Sequence, residues 1–296
     1  MQTALPDTVP PHKCECLRSA VAALAALEGV VAVVLGGSYA RGTYQANSDL
    51  DLGVYYSESA PFSVAEIRRV ATELCTGAPP VVTEFYEWGP WVNGGAWIHT
   101  DVGKVDFLYR NVEQIERTIQ DARRGLHQRH YDQQPTFGFY SVTYLAETHV
   151  CVPLFDPRAT IARLKREVAV YPPKLKQALV ADSLWAAEFA FLFAHKFATA
   201  GDVYNTAGCL SRISGYMTQA LYALNETYFV SDKGALDAVR QFIICPAEYV
   251  QRLTQVLAHP GETAEQLVKA SRQLEALWQE VVRLAGASYR PKYPLR

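Results

Sequence analysis

The sequence has little net charge and few charged residues of either sign. Its 296 residues include 28 Lys and Arg against 30 Asp and Glu, a formal net charge of −2, and charged residues make up only 20% of the chain. Without a positive global field, the protein is not expected to hold a long nucleic-acid duplex as its main task, although this does not exclude a local basic groove. Apolar residues make up 49% of the chain, which argues against intrinsic disorder.

Long hydrophobic runs and a disulfide framework are also missing. The longest apolar-looking stretch, Ser19 to Leu35, is interrupted by Glu28 and Gly29, so no run reaches the roughly 18 residues of a membrane-spanning helix. The amino terminus has no basic region followed by an apolar one, and no secretory signal is expected. The six cysteines lack the spacing of a small secreted scaffold. These absences predict a cytoplasmic protein with no membrane partner.

The pattern of apolar residues predicts an α+β fold in two domains, in line with a prior of roughly 150 residues per domain. The first domain, residues 1–155, alternates short strands with helices. Glycine, proline and short polar stretches mark the turns between them. Its predicted helices are 17–28, 64–75 and 111–124, and its predicted strands are 30–35, 49–56, 80–87, 91–99 and 104–109.

The second domain, residues 156–296, is predicted to be an all-α helical bundle. Asp156 can cap a helix whose first residue is Pro157, because a proline at that position loses no needed donor. Amphipathic segments with short connections then favour antiparallel packing. The aromatic stretch from Phe189 to Phe197 is expected to lie in the bundle core. The further predicted helices are 174–200, 203–226, 234–244, 246–258 and 263–286.

The segment Leu35 to Leu52, LGGSYARGTYQANSDLDL, carries the most specific chemistry. A buried strand ends in Gly36 and Gly37, whose backbone N–H groups can approach an anion closely because no Cβ blocks the way. Ser38 adds a hydroxyl donor. Arg41 follows within the same segment, as either a phosphate contact or a salt-bridge partner of a neighbouring acid. Taken alone, the pattern is typical of a plain turn at the end of a strand, and it favours a phosphate-binding turn only together with the aspartates that follow.

Three aspartates on predicted strands are candidate ligands of a divalent cation. Asp49 and Asp51 are two residues apart on one strand, so both carboxylates emerge from the same face. Two like charges so close are unfavourable unless a cation lies between them, and oxygen ligands suit Mg²⁺. Asp106 lies in a later strand between Val105 and Phe107, where an unpaired buried acid would be costly. It is the candidate third ligand.

Together these motifs resemble the DNA polymerase beta-type nucleotidyltransferase superfamily, in particular small bacterial aminoglycoside and lincosamide nucleotidyltransferases with a trailing helical domain. The motif resemblance covers about residues 30–110. The helical half is similar to the helical domains of such enzymes in the stretches GDVYN (201–205) and ALNETYFVSDKG (223–234). The resemblance implies a nucleotidyltransferase-type mixed sheet with flanking helices, followed by the helical bundle.

The resemblance also implies roles for individual residues. Gly37 and Ser38 would hold the phosphates of ATP or another nucleoside triphosphate. Two Mg²⁺ ions would be held by Asp49 and Asp51, with Asp106 completing the shell of one of them. Further candidates for triphosphate contact, Arg41 and Lys233, come from the residues themselves.

The implied reaction moves a nucleotidyl group, AMP from ATP, to a hydroxyl of a small molecule or protein and releases diphosphate. An RNA acceptor is disfavoured, because the chain is short, mildly acidic and without an added RNA-binding module. The general base is left open among Glu147, Glu188 and Asp106. The alternative function is an antitoxin-like or regulatory module of this fold that binds a partner protein.

Overall fold

The computed structural model describes residues 5–294 and divides the chain into two compact units. One, here the sheet unit, comprises Met1–Gln120 and Gln128–Val170. The other, the helical unit, comprises Asp121–His127 and Tyr171–Arg296. A mixed sheet with flanking helices followed by a helical region confirms the α+β fold predicted from the sequence.

The strands belong to the sheet unit and form one large sheet and one small pair. Within residues 5–294 they are β1 (Val30–Leu35), β2 (Leu50–Tyr56), β3 (Val81–Val82), β4 (Gly95–Thr100), β5 (Gly103–Asn111), β6 (Arg129–His130), β7 (Phe139–Tyr140) and β8 (Val152–Phe155). The large sheet has the order β3-β4-β5-β2-β1-β8, and β6 pairs with β7. In the large sheet β2 and β5 run parallel, while the other neighbours are antiparallel.

Helices cover the sheet and complete its core. They are α1 (Pro11–Ala25), α2 (Gly37–Arg41), α3 (Val64–Leu74), α4 (Val112–Arg124), α5 (Thr143–Val150) and α6 (Thr160–Glu167). Buried side chains of α1 and α3 join those of β1, β2, β4 and β5 in one apolar cluster. Because α6 also contacts β1, residues up to 170 group with the sheet unit. This division differs from the predicted boundary after residue 155.

Three loops differ from the predicted elements because side chains hold them in turns. Residues 84–94 form a loop where strands were predicted, since buried Asn93 accepts from the Tyr86 N–H at 2.9 Å and donates to the Tyr56 hydroxyl at 2.8 Å. The helix predicted to start at Pro157 starts at Thr160, with the Asp156 carboxylate accepting the Ala162 N–H at 3.0 Å.

The third difference lies in the helical unit. The helix predicted over 234–244 ends at Val239, because Asn225 holds Ile244 through two hydrogen bonds of 2.9 Å to its backbone. The other helices lie close to their predicted positions, owing to the prolines and glycines that separate them. The helices of this unit within the described residues are α7 (Pro173–Thr199), α8 (Val203–Leu224), α9 (Ala235–Val239), α10 (Tyr249–Ala258) and α11 (Ala264–Ala285).

The longest helix, α7, bears on two expectations, that no segment is apolar enough to span a membrane and that the aromatic stretch lies in the core. By length and composition it is apolar enough to cross a membrane, but half of the relevant window is buried inside the structure, and the core helix of a water-soluble protein passes the same test. The aromatic stretch from Phe189 to Phe197 was expected to lie in the core, but only part of it does. Phe191 is fully buried, whereas Phe189 and Phe193 are 43% and 42% exposed.

Candidate active site

Asp51 and Asp106 lie side by side on neighbouring parallel strands. They are register partners in the β2–β5 pair, where strands run about 4.8 Å apart and aligned side chains point to the same face. The adjacent residues Leu50, Val105 and Phe107 are fully buried in the apolar cluster on the opposite face. Both carboxylates therefore project from the face of the sheet that turns away from this core.

The Asp106 carboxyl is buried without a full set of partners. Its Oδ1 is inaccessible to solvent and accepts no hydrogen bond from any residue in the described part of the chain. Burial, the largest cause, and the nearby charge of Asp49 together raise the pKa of Asp106 to about 6, while Lys104 acts in the opposite direction. This carboxyl lies where an added positive charge would stabilise its ionised form.

The turn after β1 packs directly against the Asp51 carboxylate. Gly37 has a φ of +58°, and a Cβ atom built there would lie 1.7 Å from Asp51 Oδ2. The neighbouring Gly36 N–H donates to the Asp51 carbonyl at 2.8 Å. A side chain at position 37 would therefore displace the Asp51 carboxylate, and this close approach explains the second glycine of the motif.

The short helix α2 places Ser38 and Arg41 beside this turn. The Arg41 Nε donates to the Gly37 carbonyl at 3.3 Å, and within residues 5–294 the guanidinium has no acidic partner. The Ser38 carbonyl accepts the Thr43 N–H at 3.0 Å. Two roles were considered for Arg41, a phosphate contact and a salt bridge to a neighbouring acid. The described residues contain no such salt bridge, and the phosphate contact stays a prediction.

A buried lysine that was not predicted supports the segment leading to Asp49. Lys13 is 3% exposed, and its Nζ donates to the Ser48 carbonyl at 2.8 Å. The Tyr39 hydroxyl donates to the same carbonyl at 3.4 Å, with Lys13 Nζ 5.5 Å from the Tyr39 ring centre. The signal in the sequence was a lysine four residues before Leu17, on the apolar face of the first helix.

Comparison with known families agrees with this geometry. The family model described as "Nucleotidyltransferase domain" matches residues 17–124. These residues are therefore similar to a nucleotidyltransferase domain. A search of curated proteins gives no match.

Two solved structures share a distant likeness with the chain. A nucleotidyltransferase-like protein from Exiguobacterium sibiricum 255-15 is 12% identical, with 93% of this chain and 77% of that chain covered and a TM-score of 0.48. An aminoglycoside 6-adenyltransferase from Bacillus subtilis is 10% identical, with 94% and 91% covered and a TM-score of 0.34. Both TM-scores are too low to bear on the fold or the activity.

The matched segment contains six of the seven predicted site residues, from Gly37 to Asp106. The matched segment brings Gly37, Asp51 and Asp106 together around the β2–β5 pair, with Asp49 close enough to raise the pKa of Asp106. Lys233 belongs to the helical unit, where it is exposed and its carbonyl accepts from the Ser231 hydroxyl at 3.4 Å. Its contact with a triphosphate stays a prediction.

The aspartates are the right type of ligand for a divalent cation, although their carboxylates do not form a three-ligand cluster in the described part of the chain. Within residues 5–294 no three His, Cys, Asp or Glu side chains form a ready metal-binding cluster. Asp51 and Asp106 are nevertheless aligned, and Asp106 Oδ1 lacks a hydrogen-bond donor. A divalent cation would relieve the repulsion between neighbouring carboxylates and give Asp106 Oδ1 a partner, and carboxylate oxygens are ligands that suit Mg²⁺.

One candidate general base, Glu147, is occupied by an ion pair. The Arg110 guanidinium is 6% exposed and binds both Glu147 carboxylate oxygens, Nε to Oε2 at 2.7 Å and Nη2 to Oε1 at 2.9 Å. Arg110 also donates to the Tyr109 carbonyl at 2.9 Å. Since both oxygens face a fixed positive charge, Glu147 is poorly placed to accept a proton.

The second candidate, Glu188, anchors the carboxyl-terminal segment of the helical unit. It is fully buried and accepts from the Tyr289 hydroxyl. It also accepts from the backbone N–H groups of Lys292 at 2.7 Å and Tyr293 at 2.5 Å. With these three donors, the Glu188 carboxylate holds the segment around residues 289–293 in place. Of the three candidate bases, only Asp106 keeps an oxygen with no hydrogen bond among the described residues.

Proposed function

We propose that the protein is a Mg²⁺-dependent nucleotidyltransferase that moves AMP from ATP to a hydroxyl of a small molecule or a protein. The observation that carries this proposal is the parallel register of Asp51 and Asp106, with the Gly37 turn packed on the Asp51 carboxylate. The match of residues 17–124 to the nucleotidyltransferase domain supports the reaction class. The acceptor and the preferred nucleotide rest on the resemblance of the motifs.

In this proposal the three aspartates hold the metal and the turn holds the phosphates. Asp49, Asp51 and Asp106 would supply the carboxylate oxygens for two Mg²⁺ ions. Bound Mg²⁺ supplies positive charge that neutralises the triphosphate and polarises its phosphorus–oxygen bonds. Backbone N–H groups near Gly37 and the Ser38 hydroxyl would orient the phosphates.

The acceptor hydroxyl must lose a proton as its oxygen bonds to the α-phosphorus and the bond to diphosphate breaks. We assign the proton acceptor to Asp106 Oδ1, because this buried oxygen has no hydrogen-bond donor within residues 5–294. Without bound Mg²⁺ the pKa of Asp106 is about 6, so the carboxyl is largely ionised at neutral pH. Glu147 and Glu188 are engaged in structural contacts.

Thermal unfolding with ligands tests the binding part of the proposal. ATP together with Mg²⁺ should raise the melting temperature more than either alone, because a ligand that binds only the folded state stabilises it by mass action. Asp51→Asn should remove this joint effect while leaving the unliganded fold intact. If no nucleoside triphosphate shifts the melting curve with Mg²⁺ or Mn²⁺, the site assignment is wrong.

Transfer is tested with labelled nucleoside triphosphates and a panel of acceptors, including aminoglycosides, protein from cell lysate and tRNA. We expect label on a small molecule or a protein, with release of diphosphate. Asp49→Asn and Asp51→Asn should each lower the rate by orders of magnitude, since each removes a charged ligand and keeps the shape. Label on tRNA would overturn the choice of acceptor. Absence of transfer to every acceptor, with one stoichiometric protein partner, would favour the regulatory module.

We also propose a cytoplasmic location. All six cysteines carry free thiols, as suits a reducing compartment. Cell fractionation with an antibody to the native protein tests this, and recovery in the membrane or secreted fraction would contradict it.

A further inference from the structure

An aromatic stripe runs along the exposed face of α7. It consists of Trp185, Phe189, Phe193 and Phe197, one at every fourth position. Consecutive rings contact one another, with centroids 5.7, 5.3 and 6.2 Å apart. Trp185 is 39% exposed, close to the exposure of Phe189 and Phe193 given above. The opposite face of the helix, with Phe191, is buried in the core. On the stripe itself, Lys292 Nζ lies 5.5 Å from the Trp185 ring centre, and Phe189 and Phe193 remain exposed.

A residue of opposite charge lies at each end of the stripe. Asp182 and Lys196 are both exposed, and each lies seven residues from Phe189. Seven residues fall only about 20° short of two full helical turns, so Asp182, Phe189 and Lys196 lie nearly in line along α7. The Asp182 carboxylate contacts His127 Nε2 at 3.0 Å and remains 68% exposed. Within residues 5–294, Lys196 forms no ion pair.

This order of residues is complementary to itself when the helix is reversed. A two-fold axis through Phe189 places Asp182 opposite Lys196 of a second copy, and Trp185 opposite Phe193 of that copy. Opposite charges then meet at both ends, and aromatic rings meet between them. Parallel pairing would instead place like charges against each other, which is unfavourable. A two-fold contact uses the same patch on both partners, as most homodimers do.

We propose that the stripe is the interface at which two copies of this chain pair, with their α7 helices antiparallel about a two-fold axis at Phe189. The charge complementarity of α7 with its own reversed copy selects this occupant. The three exposed rings of Trp185, Phe189 and Phe193 each have a surface of about 150–250 Å² of which roughly 40% is exposed, so they supply about 180–300 Å² per chain, and half-buried Phe197 adds less. A standard interface needs about 800 Å² per partner. The dimer is therefore weak and depends on concentration, with the polar residues beside the stripe forming its rim.

Sedimentation velocity of the full chain, from low micromolar to several hundred micromolar, tests the proposal. The sedimentation coefficient should rise with concentration from the value of a monomer to that of a dimer. Phe189→Ser should keep the chain monomeric over this range. The matched control is Tyr204→Ser, since Tyr204 is an aromatic residue 86% exposed on α8 and outside the stripe. A wild-type chain that stays monomeric throughout, or a Phe189→Ser variant that dimerises like the control, would overturn the interface.

Charge exchange tests the antiparallel arrangement. Asp182→Lys and Lys196→Asp should each weaken the dimer at least tenfold, because each places like charges opposite one another across the axis. The double variant should restore wild-type dimerisation, since the opposite charges then meet again. Melting temperatures check that loss of the His127 contact in Asp182→Lys does not unfold the chain, and Lys196→Asp keeps that contact. Failure of the double variant to recover would refute the two-fold axis at Phe189.

Discussion

Gly37→Ala is expected to lower kcat/KM for nucleotidyl transfer by about a hundredfold or more. A Cβ at position 37 would lie 1.7 Å from Asp51 Oδ2, whereas real Cβ contacts stay beyond 3.0 Å, so the carboxylate must move by at least 1.3 Å. A misplacement of about 1 Å at a reacting centre can cost about a hundredfold in rate. The φ of +58° adds a backbone strain of roughly 1–2 kcal/mol for alanine.

Gly42→Ala separates the collision from the strain. Gly42 has a similar φ of +69°, but a Cβ there meets only Thr8 Cγ2, at 4.0 Å. Both variants should therefore lose roughly 1–2 kcal/mol of stability to backbone strain, which lowers the melting temperature by roughly 2–4 °C per kcal/mol for a domain of this size, and Gly37→Ala should lose more because of the collision. Only Gly37→Ala should lose transfer and the joint stabilisation by ATP and Mg²⁺. Equal activity in the two variants, compared per folded molecule, would refute the assignment of Asp51 to the site.

Four further predictions follow from other contacts of the chain. Above pH about 6, Asp106→Asn should stabilise the metal-free protein by on the order of 1–2 kcal/mol, seen as a higher melting temperature, and below pH about 4 it should change the stability little. The reason is that the folded-state pKa of about 6 exceeds the ordinary 3.8, so the ionised carboxyl costs stability only at higher pH. A gain that does not vary with pH would contradict this. Glu147→Gln should cost about 3–5 kcal/mol in urea unfolding by leaving the buried Arg110 charge unpaired, and replacing both residues by apolar ones should recover most of the loss. Glu188→Gln should cost about 1–3 kcal/mol and speed limited proteolysis of the carboxyl-terminal segment, and an unchanged cleavage rate would argue against its anchoring role. Ser38→Ala should weaken triphosphate use roughly ten- to hundredfold, the loss of one hydrogen bond to a charged group, and an unchanged KM for ATP would remove Ser38 from the site.

Local chemistry let the sequence predict the parts of the site that are close in the chain. An apolar run followed by two glycines predicts a strand and a turn, and β1 occupies the predicted residues 30–35. Alternation around Asp49 and Asp51 predicts a strand with one buried face, and Leu50 and Leu52 are fully buried. These features depend on backbone preference and on side-chain period, which neighbouring residues carry by themselves.

The tertiary structure decided which distant groups meet. Asp106 lies beside Asp51 because apolar residues of β2 and β5 bury one common face, and this sets the register of the parallel pair. Glu147 and Glu188 are both acids in helices, and their roles follow from Arg110 and from the carboxyl-terminal segment folding onto them. None of these partners is close in the chain.

The aromatic residues of α7 show the same division. Their spacing determined that they share one face of a helix, because residues four apart lie one above the other. Whether that face is core or surface depends on which helices pack against it. The neighbouring helices cover the face with Phe191 and leave Phe189 and Phe193 exposed, since a helix within a bundle buries only the sides that its neighbours reach.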